Sequence, residues 1–251
     1  MRVRRVVADN PSPYTGPGTN TWIVEGDPVA VVIDPGPDDD RHLAAIEERL
    51  AGAAVGAILV THSHPDHLPL AARLGDRHHA NVLRYPELGE GDLVQLGKVR
   101  LRALHTPGHA SDHLCFLQEE DRAVFTGDLV LGKGSTMITY PDGDMAAYLH
   151  SLDRLLEVRP SILFPGHWDP VEDPLPKLEE YKRHRLDREE QVLRALAEGP
   201  SDSAELTRRV YASEISGEQL LRAAEMTLQA HLRKLVEEGR VRSEGSLYSL
   251  P

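Results

Sequence analysis

Apolar residues in the first half of the chain come in short blocks, and several blocks end at a polar turn. Val29 to Ile33 is one such block, closed by Asp34-Pro35-Gly36-Pro37. Ala57-Ile58-Leu59-Val60 is another, running straight into Thr61-His62-Ser63-His64-Pro65-Asp66-His67. Short apolar runs bounded by Gly and Pro read as buried strands. Between these two, Asp38 to Ala51 carries Leu43, Ile46 and Leu50 at helical spacing, with Asp residues at its start, so a helix is expected there. A short helix through Leu74 follows the histidine-rich loop. Strand-like alternation then dominates from Ala80 to Asp128, and Met145 to Val158 returns to helix. Beyond Pro174-Leu175-Pro176 the pattern turns helical over Leu178 to Ala197, Ser203 to Val210 and Gln219 to Glu238. Val241 to Leu250 reads as a β-hairpin with its turn at Glu244-Gly245. The expected organisation is an α/β domain over residues 1–173 and a small helical domain over 174–251.

The strand ends carry the chemistry. His62, His64, Asp66 and His67 fall within six positions, in a chain that has 13 histidines. Nitrogen and oxygen donors at that density suit a divalent transition metal, most simply zinc. Three later blocks have the same form. His109 follows Thr106-Pro107-Gly108, Asp128 follows Phe125-Thr126-Gly127, and His167 follows Phe164-Pro165-Gly166. A glycine before each donor lets the backbone turn tightly. Two cations sharing a water need about six or seven protein groups, and these loops supply that many. A lone histidine is usually satisfied by a local hydrogen bond. Recurrence at four strand ends favours a shared site.

These residues resemble the ligand motifs of the metallo-β-lactamase superfamily: H-x-H-x-D-H, then T-P-G-H, T-G-D and P-G-H, in that order over about residues 14 to 170. The resemblance implies a four-layer αββα sandwich. It implies one cation on His62, His64 and His109, a second on Asp66, His67 and His167, and Asp128 bridging both. Two divalent ions are expected, zinc first, with manganese or iron as alternatives. A hydroxide shared by the ions would attack a carbonyl carbon or a phosphorus, and Asp66 would be the catalytic group that orients it. Three helices and a terminal hairpin look like a winged helix. With Gly18-Thr19-Asn20-Thr21 and Gly108-His109-Ala110-Ser111-Asp112-His113, the chain is similar to the β-lactamase-like protein 2 group. It departs from the usual motif at His67-Leu68-Pro69, where a glycine step is common.

Composition then narrows the setting. No apolar run approaches the ~20 residues needed to span a bilayer, and the basic N-terminus lacks the apolar core of a secretory signal. Cys115 is the only cysteine, which excludes an internal disulfide, fits a cytoplasmic location, and reads as a small strand residue. The net charge is −12. From residue 175 onward 13 Lys and Arg face 14 Asp and Glu, so most of the acidity lies earlier. A dedicated nucleic-acid reader usually shows a basic face. Here any such patch must be local, drawn from Arg222, Arg233, Lys234, Arg240 and Arg242. Packing on the larger domain, or a homodimer contact, is the simpler use of the tail.

Two enzymatic readings and one non-enzymatic reading follow. The resemblance implies an endoribonuclease acting on single-stranded RNA, or a hydrolase of a small ester, lactone or acyl-carrier thioester. The third is a DNA-binding regulator without activity, which the full ligand set argues against. Four further residues are candidates for substrate contact. His113 lies on the strand after the His109 loop, where a plain strand role is an equal alternative. Lys133, Ser135 and Thr136 follow Asp128 in a Gly-rich turn that suits an anionic group, although its glycine spacing is not that of a P-loop.

Overall fold

The first strands fold as a meander because two turns lie between them. β1 (Arg2–Val7) pairs antiparallel with β2 (Asn20–Glu25), which pairs antiparallel with β3 (Val29–Ile33). The helix α1 (Asp40–Leu50) then crosses over to β4 (Ala54–Leu59), parallel to β3, and α2 (Leu70–His78) crosses to β5 (Asn81–Leu83), parallel to β4. The order of this sheet is β1-β2-β3-β4-β5. Residues 2–211 and 217–251 are described by the structure, a computed structural model.

α1 starts two residues inside the expected run and ends one residue before its close. Asp39 is its cap and accepts a hydrogen bond from the His42 N–H at 2.8 Å, while Ala51 closes it in the left-handed region. Its Leu43, Ile46 and Leu50 pack with Leu70 and Leu74 of α2 on Val32 and Ile58. The alternate residues of β3, Val31 and Ile33, face the other way. Both faces of the strand are therefore buried, which is why it reads as a continuous apolar run.

A second sheet supplies the inner partner. β6 (Leu93–Leu96), β7 (Val99–His105), β8 (Leu114–Gln118) and β9 (Ala123–Gly127) form an antiparallel meander. The helix α3 (Met145–Val158) then leads to β10 (Ile162–Pro165), parallel to β9. Leu101, Leu114, Phe116 and Phe125 of this sheet meet Trp22, Val31, Ile33 and Leu59 of the first. α3 covers the outer face with Met145, Tyr148, Leu152 and Leu155 on Leu104, Cys115, Val124 and Leu163. The layers are helix, sheet, sheet, helix, as expected. Cys115 is indeed a strand residue, fully buried, and burial pushes its thiol up to about 12.

The helix α4 (Pro174–Ala197) belongs to both parts of the molecule. Its first half sets Leu178 and Tyr181 against the α3 layer. Its second half sets Val192 and Leu196 in a separate cluster with α5 (Ser203–Tyr211), α6 (Glu218–Glu237) and Val241. β11 (Arg242–Glu244) and β12 (Leu247–Ser249) form the terminal hairpin. Glu244 pairs with Leu247, so the two turn residues are Gly245 and Ser246, one position later than the sequence suggested. Gly245 has φ +63°, which glycine adopts freely. Among the described residues no helix is long and apolar enough to cross a membrane.

Candidate metal centre

All the donor-bearing loops leave the sandwich on one rim. β3 and β4 run parallel, and so do β9 and β10. β7 runs parallel to β9 because both are antiparallel to β8. The C-terminal ends of these five strands therefore deliver Asp34, the His62–His67 loop, His109, Asp128 and His167 to the same place. The tight turns this requires leave no room for side chains. A Cβ on Gly166 would lie 2.5 Å from Asp128 Oδ1 and 2.7 Å from His67 Cε1.

The donors form one continuous cluster. His62 Nε2 lies 2.9 Å from His64 Nδ1, and His109 Nε2 lies 3.0 Å from the same atom. His167 Nε2 is 3.3 Å from Asp66 Oδ2 and 3.4 Å from Asp128 Oδ1, and His67 Nε2 is 3.5 Å from each of these oxygens. Asp128 Oδ2 turns the other way, 3.7 Å from His109 Nε2. Three overlapping groups result: His62, His64 and His109; Asp66, His67 and His167; and His62, His67 and Asp128. Donors bonded at about 2.0–2.1 Å to a tetrahedral ion stand roughly 3.4 Å apart. The separations observed here centre on that value. Three ring nitrogens converging on one point, and the buried His67 Nε2 and Asp128 Oδ1 without any hydrogen bond, are further marks of a cation site. The residues fit two divalent cations.

A second layer of hydrogen bonds fixes which nitrogen faces inward. His109 Nδ1 donates to Met137 O at 2.6 Å, and His167 Nδ1 donates to Gly18 O at 3.2 Å. His67 Nδ1 donates to Asp34 Oδ2 at 3.0 Å. His62 Nδ1 donates to Thr61 Oγ1 at 3.0 Å, and that hydroxyl donates on to Asp34 Oδ2 at 2.8 Å. Asp34 also accepts the Thr61 N–H at 2.7 Å. One buried carboxylate thus orients two of the histidines, a role that outer groups commonly play at metal sites. Sequence reasoning took Asp34 only as part of a turn. Its place after an apolar strand, like that of Asp128, was the available signal.

Charge is strongly coupled across the cluster. Burial works against a charged His67, but the carboxylates of Asp128 and Asp34 outweigh it and hold the ring well above its usual range. His167 is likewise raised to about 9, burial being overcome by Asp128 and Asp66. Asp128 is held well below the carboxylate range because His167 and His67 outweigh its burial. His62 goes the opposite way, lowered well below normal by burial and by His67 and His109. This rim attracts positive charge.

Of the four substrate-contact candidates, three line the open space above the cluster and one does not. Lys133, Ser135 and Thr136 border a cavity of about 940 Å³ that has His64, Asp66, His109, Asp128 and His167 at its base. The Thr136 hydroxyl donates to Asp128 O at 2.5 Å. His113 is fully buried beneath the cluster, with its Nδ1 3.0 Å from Thr106 Oγ1 and its Nε2 accepting the Asp128 N–H at 3.2 Å. The expectation that it faces the pocket is corrected. Its ring faces Asp128 from the sheet side, and burial keeps it neutral. The candidate basic patch of the tail also changes character. Arg222 pairs with Glu218, Arg233 with Glu237, and Lys234 and Arg240 with Glu189 and Glu238.

Similarity to known proteins agrees with this geometry. The metallo-beta-lactamase superfamily matches residues 14–90 and 83–167, and the beta-lactamase associated winged helix domain matches residues 203–249. An atrochrysone carboxyl ACP thioesterase from Passalora fulva is 31% identical over 96% of this chain and 77% of its own. A beta-lactamase-like protein 2 homolog from Drosophila melanogaster is 29% identical over 96% of this chain and 89% of its own. The crystal structure of a beta-lactamase domain protein from Burkholderia ambifaria superimposes with a TM-score of 0.86 at 26% identity, covering 99% of this chain and 91% of that one. The chain is a hydrolase that belongs to the metallo-beta-lactamase superfamily and carries a C-terminal winged helix domain.

Proposed function

We propose that the protein hydrolyses activated acyl compounds, with thioesters as its substrate class and two divalent cations, zinc by the chemistry of the donors, as its cofactor. His62, His64 and His109 would hold one cation and Asp66, His67 and His167 the other, with Asp128 between them. The observation that carries this reading is the cavity. The donor cluster opens into a space of about 940 Å³ bordered by Tyr14, Leu131, Met137, Trp168 and Leu220, which suits an acyl chain. The thioesterase relative supports the same class. The single, buried Cys115 fits a reducing cytoplasm.

Bound divalent cations acidify a water and polarise a carbonyl oxygen. The chain's own part is to place and steer the reactants. Asp66 is the most exposed carboxylate of the cluster, with 26% of its side chain accessible. Burial would raise it, but hydrogen bonding to His167 and the nearby His67 hold it below the usual range, so it remains an acceptor. The Thr19 hydroxyl donates to Asp66 Oδ2 at 3.3 Å and helps to fix the carboxylate. From that position Asp66 accepts a hydrogen bond from the attacking water. The carbonyl carbon gains a C–O bond and loses its C–S bond, and the proton from water passes to the departing sulfur. No side-chain nucleophile is required.

The RNA reading has less support. The chain carries a net charge of −12, and phosphate backbones are bound through cationic contacts. Four of the five basic residues considered for the tail are matched by carboxylates. A parallel assay of an acyl thioester, a lactone and single-stranded RNA, each with wild type and His64→Ala, tests the proposal. Thiol release by the wild type, abolished by the substitution and by chelation, is expected. RNA cleavage without thiol release would replace it.

A further inference from the structure

The cavity has a second wall that the catalytic rim does not supply. Arg185 and Ala223 border it from α4 and α6. We infer that this wall holds an anion subsite, formed by Arg185 with Lys133, so that the substrate carries a carboxylate or phosphate away from its scissile carbonyl. The inference rests on the acyl-hydrolase reading and narrows it.

Arg185 is 2% exposed. Its guanidinium donates to Thr136 O and lies 5.4 Å from the centre of the Tyr148 ring. Its buried Nε makes no hydrogen bond, and among the described residues no carboxylate pairs with it. A buried guanidinium without a counter-ion is costly unless something else supplies the negative charge. Arginine also presents the planar fork that fits a carboxylate or phosphate. Lys133 borders the same cavity from the exposed turn between Gly132 and Gly134, and it too has no ion pair among the described residues.

The balance of the lining is the second observation. The chain has 40 acidic residues against 28 basic ones. Yet the only carboxylates among the described residues that border the cavity are Asp66 and Asp128, both within the donor cluster. The subsite and the cluster share one residue: Thr136 receives Arg185 at its carbonyl while its hydroxyl donates to Asp128 O. A substrate bridging the two would be anchored at both ends, with its apolar part against Leu220 and Ala223.

The test uses the metal-loaded full chain and two matched pairs of thioesters. One pair places the charge on the acyl side, the S-phenyl thioesters of glutaric and pentanoic acid. The other places it on the thiol side, the acetyl thioesters of 3-mercaptopropionate and propanethiol. Thiol release is followed in wild type, Lys133→Gln, Arg185→Gln and Arg185→Lys. The charged member of at least one pair is expected to have a kcat/KM higher by about tenfold or more, carried mainly in KM. That preference should shrink with added salt and fall below about threefold in Lys133→Gln and Arg185→Gln, with partial retention in Arg185→Lys. Equal kcat/KM within both pairs, or a preference that survives both neutral substitutions, overturns the subsite while leaving thioester hydrolysis intact. Absence of turnover on all four compounds overturns the acyl-hydrolase reading instead. Lys133 makes no structural bond, so Lys133→Gln with the salt dependence decides the matter if Arg185→Gln does not fold.

Discussion

His67 on the rim and His231 in the helical domain are both fully buried imidazoles beside a carboxylate, and their surroundings drive them in opposite directions. His67 faces Asp34 at 3.0 Å and Asp128 at 3.5 Å, and the two together overcome burial and favour its charged form. His231 faces one carboxylate, Glu189, at 3.5 Å. That carboxylate is already matched by Lys234 at 3.0 Å, with Arg240 at 3.6 Å, and the nearby Arg185 adds repulsion. Burial then wins, and His231 is lowered to about 4. The rim gathers more negative charge than its own side chains neutralise, as a cation site must. Around His231 the helical domain matches its charges among themselves, beside an aliphatic cluster.

The sharpest way to break this comparison is Asp128→Asn. Loss of the carboxylate that touches both donor groups should strip both cations and lower activity by about 10³-fold. Elemental analysis finding unchanged metal content would remove Asp128 from its bridging place. In the helical domain, Leu228→Ala empties a fully buried position and should cost about 3 kcal/mol in urea unfolding. Metal content of the folded protein should stay the same. If it falls, the two regions are not independent. Asp34→Asn keeps the shape but weakens the acceptor that orients His67 and Thr61, so metal affinity should drop about 10- to 100-fold in a chelator competition.

The smallest effect expected is a pH dependence. His231 binds its proton more weakly when folded, at about 4, than the ordinary 6.5 of an unfolded chain. The unfolded state therefore takes up more protons as the pH falls below 6.5. The stabilisation from neutral His231 is complete above that value and is lost progressively down to about 4. Between about pH 7.5 and 5.5 the loss should be roughly 1 kcal/mol. Denaturant melts of wild type and His231→Leu across that range measure it, and parallel curves for the two proteins would refute it.

Much of the rim was legible because its signals are local. Apolar blocks ending in Gly-His, Gly-Asp or the His62–His67 run mark both the strand and its load, and α1 followed from helical spacing and its leading Asp residues. What escaped was whatever depended on direction. His113 sits just before β8, at the end of the loop from His109, and only the folding of that loop against the end of β9 decides that it lies under Asp128 and not in the cavity. Asp34 has the composition of a turn and acts through contacts 27 and 33 residues away. The tail's basic residues read as a patch, because their partners at i+4 and on α4 appear only when the helices are built.

The amino-acid sequence by itself determined the donor set, its order along the chain and the alternation of strands and helices. Each of these depends on residue type and short-range spacing. The tertiary structure alone decided that five strand ends share one rim, that Asp34 steers two histidines, and that α4 and α6 line the cavity above the cluster. Those are meetings of distant segments, set by sheet order and helix packing, and no local pattern encodes them. Arg185 is the clearest instance. In the chain it is one cation in a charged helix. In the fold it is a buried guanidinium facing the cavity without a counter-ion among the described residues.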